Sequence, residues 1–342
     1  MSGSAEVLRA DALALPLADA TVDLVVTSPP YFGLRSYQDG GEHYDGQIGD
    51  EATPTEFVDA LIAATREMVR VLKPEGSIWV NLGDKYNAYN GNRGDGQIQD
   101  NGPRPSLPTG SGLDVKGIRT KSLIGVPWRY ALRCIDDLGL ILRAEVIWSK
   151  PNGLPESVTD RVRRSHETWF HLTKQPRYFS GVDEIREAHA PASLARYAKP
   201  YIEANNNSGR RDQSGNVDYP DGMIVANPLG KLPGSVWTIP TQPLQVPDHL
   251  GVDHFAAFPM EWPRRIIRGW SPEGGTVLDP FGGTGTTATV AKALGRHGIS
   301  VDLSGDYCRL AQWRTNDPGQ LAKAAELPKP KPVHDGQEVL FT

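Results

Sequence analysis

The chain has 342 residues, 39% of them hydrophobic and 23% charged, enough to bury one large core with material left for inserted loops. Its net charge of -5 excludes a protein that coats nucleic acid by bulk charge, while leaving room for a local basic cleft. No apolar run approaches the ~18 residues that span a bilayer, and MSGSAEVLRADALAL lacks a basic stretch followed by an apolar one, so a cytoplasmic protein is expected. Cys134 and Cys308 belong to no CxxC pair, which argues against a disulfide framework and a zinc site.

In chain order, the first expected strand is TVDLVVTSPPY, whose run Val22 to Val26 suits a parallel strand buried on both faces. A helical pattern follows in TEFVDALIAATREMVRVLK, stopped by Pro74 and Gly76, and SIWVNLG reads as a second buried strand. Strand, helix and strand form a βαβ unit and imply a parallel sheet with a right-handed crossover. Residues 86–118 are rich in Gly, Asn, Pro and Asp and cannot build a core, so they read as a long loop. VPWRYALRCIDDLG predicts a helix and LILRAEVIWSK a strand. A second loop-rich insertion runs from about 186 to 235. Residues 1–316 are thus expected to form one catalytic domain, and 317–342, with KPKP, an extended tail. A basic stretch from Arg119 to Arg177 includes Lys150, Arg161, Arg163 and Arg164; charge alone favours reading it as solvated surface over a nucleic-acid cleft.

Two motifs carry chemistry. In VLDPFGGTGTTATVAKALGRHGISVD a strand ends at Val277 and Leu278, Gly282, Gly283 and Gly285 make a tight turn, and Thr286 opens a helix. Such glycines let backbone approach a ligand and let helix pack on strand. Asp302 ends the next apolar stretch, where a carboxylate suits ribose hydroxyls. The rival is a dinucleotide site, but the third glycine of G-x-G-x-x-G is missing. Asp279, ahead of the turn, would repel a pyrophosphate and could accept from a ligand ammonium group.

The second motif is Thr27-Ser28-Pro29-Pro30-Tyr31. Paired prolines remove two backbone donors and hold the chain extended at the end of the strand. The bland alternative is a strand stopped by prolines with Tyr31 in the core. The chemical reading starts from an exocyclic base amine, a poor nucleophile because its lone pair is delocalised. The Ser28 hydroxyl and Pro29 carbonyl could hold its two protons, and Tyr31 could stack on a base extruded from the duplex.

Together the motifs resemble the amino-methylating DNA methyltransferases with the S-P-P-Y tetrapeptide. The tetrapeptide precedes the glycine turn, an order similar to the circularly permuted beta group. HFAAFPMEWPRRIIRGWSP resembles that family's cofactor segment, centred on Phe258 and Pro259. RADALALPLADATVDLVV resembles the segment whose acidic residue, here Asp11 beside Ala12, reaches the cofactor adenine. IWSKPNGLPESVTDRVRRSHETWFHLTKQPRYF resembles a motif near the target base, and SVWTIPT also recurs. The resemblance implies a Rossmann-like α/β fold with a mostly parallel seven-stranded sheet and S-adenosylmethionine as cofactor. That cofactor would lie on Asp11, Ala12, Phe258, Pro259, Asp279, Pro280, Phe281, Gly282, Gly283, Thr284, Gly285, Thr286 and Asp302. Ser28, Pro29, Pro30 and Tyr31 would act on the base, and Lys150, Arg164 and His166 would bind substrate. The two polar insertions become candidate target-recognition regions, double-stranded DNA the partner and a homodimer the assembly.

Adenine-specific relatives usually carry Asp or Asn at the first tetrapeptide position and N4-cytosine enzymes more often Ser, so Ser28 favours cytosine N4 over adenine N6. An RNA or protein-glutamine methyltransferase, whose tetrapeptide usually begins with Asn, is the further alternative, and a DNA-binding module without catalysis another. His166-Glu167 with His171 invites a metal reading, but spacing of five misses the single helical face that HExxH needs, so no metal is expected. Trp148 and Trp169 read as core, while Trp128 and Trp237 stay undecided between core and nucleotide stacking. Gln337-Glu338-Val339-Leu340-Phe341 resembles a peptide that docks on sliding clamps.

Overall fold

The computed structural model describes residues 2–33, 38–39, 42–43, 47–87, 115–153, 155–156, 158–193, 227–247, 250–252 and 258–326. The clamp-like peptide and most of both polar insertions lie outside them.

β1 (Ser4–Arg9) and β2 (Val22–Thr27) come first, then a small antiparallel pair, β3 (Gln38–Asp39) and β4 (Glu42–His43). α1 (Pro54–Val71) starts with a capping box, Thr53 and Glu56 satisfying each other's backbone N–H, and Pro54 opens the first turn. Its buried residues Phe57, Leu61, Ile62, Thr65 and Met68 recur at helical spacing and form one face. β5 (Leu72–Leu82) follows without a loop. α2 (Val126–Asp136), β6 (Ile141–Ser149), β7 (His166–Thr173) and the short β8 (Val236–Thr238) come next. α3 (Glu261–Trp270), β9 (Thr276–Asp279), α4 (Thr286–Ala293), β10 (His297–Asp302), α5 (Gly305–Asn316) and α6 (Pro318–Ala324) complete the order.

One sheet organises the main unit, in the order β1-β10-β9-β2-β5-β7-β6-β8. β7 alone runs antiparallel to its neighbours β5 and β6; the other pairings are parallel. Alternation along β5 splits the core in two. Ile78, Val80 and Leu82 join α1 and α2 in one hydrophobic cluster. On the other face Trp79 stacks on His171 and lies against Trp270 and Trp237, and Trp262 of α3 stacks on Trp169 and Trp237. Trp148 and Trp169 are core as expected, and Trp237, 3% exposed, joins them. Trp128 is 54% exposed.

Three expectations change. The sheet has eight strands, not seven, because SVWT, read only as a recurring segment, pairs in parallel with the end of β6. The chain opens with β1, which pairs with β10; as an edge strand with alternating exposure it lacks the continuous apolar run by which β2 was found. The tail does not begin extended at 317. Asp317 accepts from the Gln320 N–H as an N-cap, and α6 buries Ala322 and Ala324.

Residues Gly181–Gly234 form a second compact unit. Its described part holds a 3-10 turn, Val182–Ile185, and an antiparallel bridge between Glu187 and Lys231. At the first insertion, the buried Asn87 side chain binds the backbone of Val115 and Ile118 and clasps the two stems together.

Candidate active site

Parallel pairing brings the carboxyl ends of β1, β10, β9, β2 and β5 to one edge of the sheet, the place where open α/β sheets bind ligands. The antiparallel β7 adds its first residues there, with Ser149 of β6 opposite His166 and Leu82 of β5 opposite Thr168.

The glycine turn follows β9. A Cβ on Gly282 would lie 1.9 Å from the Ser300 hydroxyl oxygen, and one on Gly285, at φ 72°, would lie 2.8 Å from the Ala311 methyl. Only glycine fits either place. Gly283, at φ 49°, donates its N–H to Asp302 at 2.9 Å, and the other Asp302 oxygen accepts from the Ser304 N–H. Ala10 donates to the Asp302 carbonyl, which sets the Asp11 turn beside it, and Asp11 accepts from the Leu13 N–H. Asp11, Phe281, Gly283 and Asp302 are all partly exposed, whereas Ala12, Pro259 and Pro280 are buried supports. Phe258 meets Trp169 edge-on at 5.8 Å.

Several expected cofactor ligands face inward instead. The Asp279 carboxylate is 1% exposed and accepts from Thr27 at 2.7 Å, Thr287 at 2.8 Å and the Phe281 N–H at 3.2 Å. With those donors it clasps the end of β2 to the glycine turn, so an ammonium group would have to displace them. Burial pushes its carboxyl up to about 6. The Thr284 and Thr286 hydroxyls both accept, at 2.7 Å, from Arg314 of α5. Arg314 is itself buried, and burial brings its guanidinium down to about 10.

At the tetrapeptide, Pro29 is buried and Ser28, Pro30 and Tyr31 are partly exposed. Ser28 donates to Asn81 Oδ1 at 3.2 Å, and the Tyr31 hydroxyl lies 2.7 Å from the same oxygen and 2.8 Å from Glu167. Asn81 is fixed in turn by donating Nδ2 to the Thr168 carbonyl. Lys150 pairs with the other Glu167 oxygen and sits over the Trp148 ring. A Cβ on Gly83 would lie 2.6 Å from the Tyr31 ring, so the ring rests on bare backbone. Asp84 accepts from the Gly125 and Val126 N–H groups at the start of α2, favourable at a helix N-terminus, and faces Arg164 at 3.8 Å. His166 opens β7 exposed to solvent, while His171, five residues on, lies on the opposite strand face with its ring bonded to Ser77. They cannot share a metal, and among the described residues no group of three or more ligand-type side chains converges.

A family model described as DNA methylase, of the N6/N4 type, matches residues 22–313. The chain belongs to the N6/N4 DNA methylase family. Among its relatives, the Type II methyltransferase M.SmaI of Serratia marcescens is 36% identical, covering 85% of this chain and 83% of its own length. M.Cfr9I of Citrobacter freundii is 33% identical over 90% of this chain and 86% of its own. The PvuII DNA methyltransferase (cytosine-N4-specific) superposes with a TM-score of 0.60 at 20% identity, covering 95% of this chain and 92% of its own. A putative DNA modification methylase from Thermus thermophilus, complexed with S-adenosyl-L-methionine, does so with a TM-score of 0.51 at 23% identity, covering 94% of each chain. Both likenesses place this methylase in the Rossmann-like methyltransferase fold.

Three residues of the methylase site escaped sequence reasoning. Asn81 carried a signal, a lone amide inside the buried run of β5. Asp84 and Arg314 carried none, because their partners lie far off in the chain: Gly125 and Arg164 for the first, Thr284 and Thr286 for the second.

Proposed function

We propose that this methylase transfers the methyl group of S-adenosylmethionine to the exocyclic amine of a base flipped out of duplex DNA, N4 of cytosine being favoured over N6 of adenine. The convergence of Ser28 and Tyr31 on Asn81 carries the reading. Asn81 offers its carbonyl oxygen because its amide nitrogen is committed to Thr168. Ser28 therefore spends its proton on Asn81 and keeps its lone pairs to accept from an amine. With the Pro29 carbonyl as second acceptor, the amine nitrogen is held pyramidal with its lone pair free. Tyr31, tied at its hydroxyl, presents a ring to stack on the base.

The residues fit the cofactor through the part-exposed backbone of Gly283, at φ 49° with its N–H on Asp302, and through the part-exposed carboxylates of Asp11 and Asp302. When bound there, S-adenosylmethionine supplies an electrophilic methyl on its sulfonium. The cytosine preference rests on Ser28. The resemblance extends the proposal to the permuted order of motifs, to a homodimer and to a clamp contact through Gln337–Phe341, which deletion of residues 336–342 should abolish in a clamp-binding assay.

Long-read sequencing of plasmid DNA from a methylation-free host expressing the chain tests the function. A modified motif supports it and names the base. N6-methyladenine would overturn the cytosine preference alone. Unmodified DNA, from protein that binds S-adenosylmethionine, would move the activity to RNA or protein glutamine.

A further inference from the structure

Extruding a base leaves a gap in the duplex stack, and an enzyme that fills the gap holds the base out longer. The β6–β7 loop springs from the site beside Tyr31. Its root is closed at the site, where Lys150 N–H donates to the Ser165 carbonyl at 2.8 Å and the Lys150 ammonium pairs with Glu167, itself 2.8 Å from the Tyr31 hydroxyl. Its far part is braced from both sides. Arg161 stacks on the Tyr86 ring at 3.8 Å and pairs with Glu156 at 2.6 Å, and Arg163 donates to the Gly153 carbonyl at 2.9 Å. Between these arginines stands Val162, 86% exposed, the most exposed large hydrophobic side chain among the described residues. An apolar group so placed gains nothing from the folded protein. Valine also has few rotamers to lose on insertion. Arginines on both sides match a polyanion whose interior is an apolar stack, which is duplex DNA.

We propose that Val162 is the wedge that enters the duplex where the target base leaves. The inference rests on the functional reading above, since it requires a flipped base. Its location on an exposed loop makes substitution harmless to the core.

The test measures methyl transfer to two duplexes carrying the mapped site, one with the target base paired and one with it opposite a non-complementary base. Val162→Gly is expected to lose about tenfold in kcat/KM on the paired duplex and to come within about twofold of wild type on the mispaired one, where little pairing energy opposes flipping. Val162→Ile, which keeps the wedge, should match wild type on both. Equal activity of Val162→Gly and wild type on the paired duplex would overturn the wedge, and so would an equal loss on both duplexes. Failure of the wild-type chain to methylate either duplex would instead bring down the functional reading, and the wedge with it.

Discussion

The two halves of the sheet edge satisfy their polar groups in opposite ways. Around the glycine turn Asp279, Thr284, Thr286 and Arg314 are each at most 3% exposed and bond one another, Thr27 and Thr287. Around the tetrapeptide, Ser28, Tyr31, Lys150 and Glu167 are partly exposed, and Asn81 and Glu167 both face one tyrosine proton. A closed network holds its shape whether or not a ligand is present; an open one has hydrogen bonds to exchange with a substrate. The glycine-turn half is therefore set by packing and the tetrapeptide half by polar contacts that a substrate can exchange.

The sharpest way to break this comparison is on the open side. Ser28→Ala should lower methyl transfer by about 10²- to 10³-fold, the usual cost of losing one preorganised polar contact to the reacting centre, with S-adenosylmethionine affinity unchanged by calorimetry. A matching fall in cofactor affinity would show that the halves are not separable. Asn81→Leu should follow at about tenfold to a hundredfold in kcat, because Ser28 and Tyr31 lose the acceptor that orients them. If kcat holds while only stability drops, Asn81 is a packing residue.

The same contrast explains what could be read in the sequence. The glycine turn was legible because its glycines are closely spaced between a strand and a helix of clear pattern, although Ser300 and Ala311, which exclude a side chain at Gly282 and Gly285, lie in later elements. β2 and β5 were legible as continuous apolar runs and α1 as a run of period 3.6. What the turn residues touch was not legible. Asp279 looked like a ligand for an ammonium group, yet its partners Thr27 and Thr287 fold it inward. The base side hid more, since Tyr31 meets Glu167 and Asn81 only through strand pairing across β5 and β7. Periodicity reports which face a side chain takes and is silent on its partner across the sheet.

On the closed side the expected effects are smaller and mostly structural. Gly282→Ala places a methyl on the Ser300 hydroxyl and should cost about 1–3 kcal/mol in urea unfolding, with weaker cofactor binding. Adding Ser300→Ala removes the oxygen at 1.9 Å and leaves the Ser300 Cβ at 3.1 Å as the nearest atom, so part of the loss should return. No recovery would mean that the turn senses backbone conformation more than this contact.

Titration gives the finest test, because Asp279 on the closed side and His171, in the tryptophan core against Ser77 and Trp79, are buried with opposite effects on stability. Burial raises the Asp279 carboxyl from 3.8 to about 6, so between roughly pH 4 and 6 the folded chain keeps a proton that the unfolded chain gives up. Stability from this group falls as pH rises through that window. Burial between Trp79 and Trp270 lowers His171 from 6.5 to about 3, and Arg143 adds to the shift, so the unfolded chain binds the extra proton. Stability from His171 is complete above about pH 6.5 and falls as pH drops toward 3. Each effect is on the order of a few kcal/mol at full extent. Relative to wild type, Asp279→Asn should therefore gain in urea unfolding as pH rises from 4 to 6, on top of a constant loss from the altered hydrogen bonds. His171→Phe should gain as pH falls from 6.5 to 4. A difference that stays flat with pH would remove the charge assigned to that residue, and with Asp279 it would mean that the clasp across Thr27 and Thr287 tolerates an ionised carboxylate without penalty.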